Sequence, residues 1–190
     1  MDFTFLLEDK GLTIYECSRR SGIPYSTLSD LLHGKTKMER ASFRYAYYLS
    51  KTLGITMEEL YDQTHVPERV SLETFKSQAR HDLKEMGDKK YVDSIISTDI
   101  INRYWHFEWY FESLYTLAML DYLCRINNMN IISKYDTLRE YKLPEISYPA
   151  DIILAAKINQ KLDLRDIAVK QSIPEFIRFN IVERDVRDVY

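Results

Sequence analysis

The 190-residue sequence holds only five glycines and five prolines. Strand-rich folds need many tight turns, so this shortage points to helices. Cysteine is scarcer still. Cys17 and Cys124 are too few for a disulfide scaffold or a cysteine metal knuckle, and they read as buried thiols in a reducing compartment. No glycine loop of the phosphate-cradling kind is present, and His33, His65, His81 and His106 stand at no metal-ligand spacing from one another or from the cysteines. The most apolar stretch, Leu114 to Ile126, is interrupted by Asp121 and Arg125 and is too short to cross about 30 Å of hydrocarbon. The opening MDFTFLLEDK has no basic segment leading into a long apolar one, so the expected location is the cytoplasm, with no membrane partner. His106 with Glu108, or His81 with Asp82, could be drawn as acid-base pairs, but adjacency along a chain does not establish facing geometry. The expectation is a protein without catalytic residues, metal or cofactor.

What is present is an ordinary globular mixture, 45% hydrophobic and 29% charged, with an uneven distribution of charge. The net charge is −3, yet between Cys17 and Lys51 there are Arg19, Arg20, Lys35, Lys37, Arg40, Arg44 and Lys51 against only Asp30 and Glu39. A basic island inside an acidic chain suits a phosphate-rich partner. Organisation follows from punctuation. Lys10-Gly11, Ser21-Gly22-Ile23-Pro24, His33-Gly34-Lys35 and Leu53-Gly54 each end a helix of two to three turns. Thr13 with Glu16 and Thr56 with Glu59 have capping-box spacing, and Ala46, Leu49, Ser50 and Leu53 form a core-facing stripe. The segment from Thr64 to Val70 has no apolar period, which divides the chain into residues 1–66 and 71–190.

Within the first part, LTIYECSRRSGIPYSTLSDLLHGKTK, from Leu12 to Lys37, resembles the helix-turn-helix of the lambda-repressor and Cro-like regulators, also called the xenobiotic-response-element class. Gly22 falls where the turn needs positive φ, Ile23 where an apolar residue fills the angle, and Leu28 and Leu31 where the second helix meets the core. The following KTKMERASFRYAYYLSKTLGITMEELY is similar to the rest of that five-helix domain, so the resemblance spans about residues 4–62. It implies an all-α protein, a lambda-repressor-like DNA-binding domain followed by a helical C-terminal domain. It also implies that the helix Tyr25 to Leu32 enters the major groove of double-stranded DNA. Carried over by position, Tyr25, Ser26 and Asp30 face the bases with Ser29 nearby, and Thr27 packs or touches a phosphate. Lys35, Lys37 and Arg40 then lie beside the backbone, with Arg19 and Arg20 reaching it from the preceding helix. Two features depart from the pattern. Ile14 stands where the family has a phosphate-holding glutamine, and the reading face has no Arg, Asn or Gln for bidentate base recognition. Modest specificity per half-site would be made useful by a homodimer spanning two half-sites about 34 Å apart.

The second part has few breakers before Pro144. Leu72 to Met86 and Tyr91 to Ile96 read as helices, Ile100 to Asn127 as one or two buried ones, and Asp151 to Lys161 and Leu164 to Gln171 as two more. Pro174 suits the first turn of a final helix running into FIRFNIVERDVRDVY. RYWHFEWYF, Arg103 to Phe111, carries six aromatic rings in nine positions, more than one helix face can hide, and reads as core plus interface. This part resembles the helical extension of a set of bacterial regulators, some paired with toxins. The resemblance implies a partner- or ligand-binding role. The readings are therefore a repressor acting through Tyr25 to Leu32 or an antitoxin whose C-terminal domain neutralises a toxin or other protein.

Overall fold

The structure, a computed structural model, describes residues 3–8, 10–158 and 164–187. It divides into two compact units, the first comprising residues up to Arg69 together with His106–Glu108, the second Val70–Trp105 and the chain from Trp109 onward. Among the described residues there are twelve α-helices and no strand.

The first unit contains α1 (Phe5–Glu8), α2 (Ile14–Ser21), α3 (Tyr25–Leu32), α4 (Phe43–Leu53) and α5 (Met57–Thr64), with a 3-10 turn at Met38–Arg40. Local chemistry fixes the boundaries. Thr13 and Thr56 each accept from the amide three residues on while Glu16 and Glu59 reach back to the cap amide, so both capping boxes form. Gly22 and Gly54 close α2 and α4 in the left-handed region, at φ 68°. Leu6, Leu7, Cys17, Ile23, Leu28, Leu31, Leu32, Leu49, Leu53 and Leu60 are buried, and burial pushes the Cys17 thiol up. His106 stacks on Phe5 with ring centroids 3.8 Å apart.

In the second unit, α6 (Leu72–Met86) and α7 (Asp88–Thr98) pack against α9 (Tyr110–Ile126), with α8 (Ile100–His106) between α7 and α9. α9 has apolar residues on every side and is buried along nearly its whole length, Glu112 and Asp121 included. Its interior hydroxyls are satisfied: Ser113 donates to the Ile101 carbonyl at 2.9 Å and Thr116 to that of Glu112 at 2.8 Å. The aromatic run is not one helix. Glu108, at φ 60°, breaks it into α8 and α9, which lets Phe107 and Phe111 turn inward. Trp105 then meets Tyr110 and Tyr141, at 4.8 and 4.7 Å between centroids, and Tyr104 stacks on Trp109 at 5.7 Å. Most of the rings are used up in packing.

Beyond α9, two 3-10 turns (Ser133–Tyr135 and Thr137–Glu140) lead to α10 (Ala150–Ile158), α11 (Leu164–Lys170) and α12 (Pro174–Ile177). The expected continuation of α10 to Lys161 lies outside the described residues. The expected long final helix is corrected to a single turn. After it, Asn180 takes φ 61° and the chain runs irregularly, which buries Ile181, Val182 and Val186 and lets Ser147 donate to the Asn180 carbonyl at 2.8 Å. Those contacts reward an extended backbone more than a helix would.

Charged clamps hold this terminal segment. Arg139 forks onto Asp121 at 2.7 and 3.0 Å, Arg125 forks onto Glu175, and Arg187 reaches Asp88 at 2.8 Å beside Asn127. The Arg187 and Asn127 hydrogen bonds hold the Asp88 carboxyl below its ordinary 3.8. Burial alone would raise that of Glu175, but the Arg125 fork outweighs it and the group sits below 4.5. Both are depressed carboxylates, so the stability they add is complete above the unfolded-state pKa and is lost as pH falls through the folded value. Thermal unfolding of the second unit is therefore expected to be insensitive to pH near neutrality and to weaken below about pH 4. Asp88→Asn should flatten that acid limb in a Tm-against-pH series.

Candidate nucleic-acid interface

The arrangement of α2, a tight turn and α3 is built by small polar groups. Ser18 Oγ donates to the Ile23 carbonyl at 2.7 Å, Ser21 Oγ donates to the Cys17 carbonyl at 2.7 Å, and the Ile23 amide donates to Ser21 Oγ at 3.3 Å. These bonds satisfy the polar groups where the chain turns, and Ile23 fills the angle beneath them, fully buried. At Gly22 an added Cβ would meet no atom within 4 Å, so what the position asks of glycine is its positive φ. Pro24 then sets the entry to α3 with φ −55°.

α3 has two unlike faces. Leu28, Leu31 and Leu32 are buried, whereas Tyr25 is 54% exposed and Ser26 is exposed beside it. Thr27, Ser29 and Asp30 are half-buried along the flanks. With Pro24 as cap, the helix start has no side-chain acceptor, and the first intrahelical bond runs from the Leu28 amide to the Pro24 carbonyl at 2.9 Å. The open amides of that first turn and the helix dipole favour an anion at this end.

Around α3 the cations are set out as follows. Arg19 and Arg20 are exposed at the end of α2 and make no ion pair among the described residues. Lys35 lies 3.3 Å from Asp30, which joins two of the expected contact residues and masks part of the Asp30 charge. Lys37 and Arg40 are exposed on the loop and 3-10 turn that follow. Met38 anchors that turn in the core, and Glu39 holds His65 Nδ1 at 2.6 Å, tying the turn to the end of α5. Ile14, the departure from the expected glutamine, is the half-buried first residue of α2 and offers no donor. The exposed face of α4 adds two cations that the sequence reading left out of the site. Arg44 lies over the Tyr48 ring at 5.6 Å and Lys51 over Tyr47 at 5.7 Å, each an i,i+4 pair visible as spacing once the helix is known.

Chemically, this is a partly exposed polar helix face with an electropositive end, bracketed by exposed cations on α2, on the loop after α3 and on α4. Such a surface can present hydroxyls and a phenol to an electron-rich groove while lysine and arginine meet its anionic rim. Among the described residues no cluster of histidine, cysteine or carboxylate is placed to hold a metal, and no helix is long and apolar enough to cross a membrane. Residues 5–65 match the family model for a Cro/C1-type HTH DNA-binding domain. No curated protein and no solved structure matches the chain.

Proposed function

We propose that this chain, whose residues 5–65 match the Cro/C1-type helix-turn-helix DNA-binding domain, is a DNA-binding transcriptional regulator of the lambda-repressor and Cro-like class, a repressor that reads its operator through α3. In this reading Tyr25, Ser26 and Asp30 meet base edges with Ser29 beside them, and Thr27 lies at the groove edge. Arg19, Arg20, Lys35, Lys37 and Arg40 neutralise phosphates. Two copies occupy half-sites about one helical turn apart and block a promoter by covering it. The observation that carries the proposal is the division of α3 into a buried leucine face and an exposed Tyr25-Ser26 face, with the exposed Arg19 and Arg20 on the preceding helix. The Asp30–Lys35 pair adds a constraint: Asp30 approaches a phosphate rim only while Lys35 screens it.

The test is binding of duplex DNA from the region upstream of the protein's own coding sequence, measured over a series of salt concentrations. Affinity should fall steeply with salt, and Lys37→Ala should reduce the log–log slope by about one, the value for one lost phosphate contact. Lys35→Ala should flatten the slope similarly and cost more affinity, because it also unscreens Asp30. Salt-independent binding would overturn the proposal. A second reading, in which the chain masks a toxin or other protein, draws support from α10, where Leu154 and Ile158 stand exposed. Stoichiometric co-purification of a neighbouring gene's product would favour it.

A further inference from the structure

A cleft of about 740 Å³ opens in the second unit between the starts of α6 and α9, the segment 145–148, and helices α10 and α11. That size is ordinary for a small-molecule site, roughly 300–1,000 Å³. Lys76 lines it, although the residue is only 5% exposed. Its ammonium lies 3.2 Å from Glu183 Oε2, which also accepts from the Tyr115 hydroxyl at 3.2 Å, while Arg80 donates to Oε1 at 2.9 Å. Two cations thus share one carboxylate, and Lys76, the more deeply buried of them, keeps only part of its charge compensated. Arg80 Nε, buried and without a partner, points to the same shortage of acceptors. Elsewhere on the wall, Arg165 lies over the Tyr148 ring at 5.5 Å, a geometry that steadies the guanidinium and leaves its edge able to fork onto a carboxylate.

Leu72, Phe111, Ile146 and Ile153 supply the apolar part of the lining. Glu73 and Glu145 also border the cleft and are exposed, so they penalise a ligand with several negative charges and leave a single one acceptable. We infer that this cleft binds a small organic acid with one carboxylate and an apolar body the size of an aromatic ring. The carboxylate faces Lys76 and Arg165, and the body lies against Phe111 and Ile146. The inference goes beyond the DNA-binding reading and does not depend on it.

The test uses the full chain and 3-phenylpropionate as probe, followed by thermal unfolding and by calorimetric titration at fixed salt. A saturable rise in Tm at millimolar concentration is expected, with no response to the neutral 3-phenylpropionamide or to inorganic phosphate. Arg165→Gln, at an exposed position, should weaken binding about tenfold. Ile146→Trp, which fills the cleft from another exposed position, should abolish it. Both variants should keep the parent's Tm without ligand, which separates loss of the site from loss of the fold. No effect of 3-phenylpropionate, an equal effect of the amide, or undiminished binding by Ile146→Trp would each overturn the assignment.

Discussion

Glu183→Ala is expected to destabilise the second unit by about 3–5 kcal/mol, a large share of the 5–15 kcal/mol that holds a typical domain folded. The side chain is 4% exposed and is the shared acceptor for Lys76, Arg80 and the Tyr115 hydroxyl. Its removal leaves the buried Lys76 ammonium and the half-buried Arg80 guanidinium with no carboxylate between them. Urea unfolding reports the loss directly, since Trp105 and Trp109 both belong to this unit. Glu183→Gln should fall between the two, because it keeps volume and acceptor but not charge. A triple replacement, Glu183→Leu with Lys76→Met and Arg80→Leu, should recover most of the stability, as apolar substitutes for a whole buried ion cluster often do. An unfolding free energy for Glu183→Ala within about 1 kcal/mol of the parent would mean that water readily enters the cluster.

The next largest effect should come from α3, where opposite faces separate folding from recognition. Leu28 is fully buried, and Leu28→Ala should cost about 2–5 kcal/mol, enough to unfold much of a domain this small. DNA binding should then fail for every sequence alike. Tyr25→Ala, on the exposed face, should change stability by less than about 0.5 kcal/mol. It should instead shift preference among operator variants by about 1–3 kcal/mol while leaving the salt slope unchanged. Denaturant unfolding alongside binding to a panel of operator variants distinguishes the two. A Leu28→Ala protein that unfolds like the parent would contradict the inner face assigned to that residue, and an unchanged operator ranking for Tyr25→Ala would remove the phenol from the reading surface.

The first unit was legible because its signals are local. Thr13 and Glu16, or the glycines at positions 22 and 54, act within one helical turn, so spacing and residue type suffice. The same holds for the leucine face of α3. In the second unit the decisive contacts are distant. Arg80 and Glu183 are 103 residues apart, and no periodicity reports such a pairing. The gap before Ile100 was legible, but the place where Ile100 to Asn127 divides was not, because it falls at Glu108, a left-handed position without glycine or proline, as Asp99 is. Asp99 is compensated there by Tyr135, whose hydroxyl donates to it at 3.0 Å, and by Lys134 at 3.0 Å. The short α12 was misjudged for a related reason: FIRFNIVERDV has a helix-compatible pattern, and only burial against residues 143–147 shows why it unwinds. For the candidate interface, the split of α3 into a leucine face and a polar face was readable from helical spacing, but the Asp30–Lys35 pairing and the cation–aromatic pairs of α4 required coordinates.

Glu183, Val186 and Arg187 close the second unit from late in the chain. On the ribosome, α6 and α9 therefore emerge long before the residues that neutralise Lys76 and Arg80 and seal the hydrophobic interior. The helix-turn-helix segment, with its mostly nearby contacts, can mature much earlier in translation. A premature stop shortly before residue 183 would accordingly leave a nascent product whose first unit has taken shape while the other stays open to proteases and chaperones.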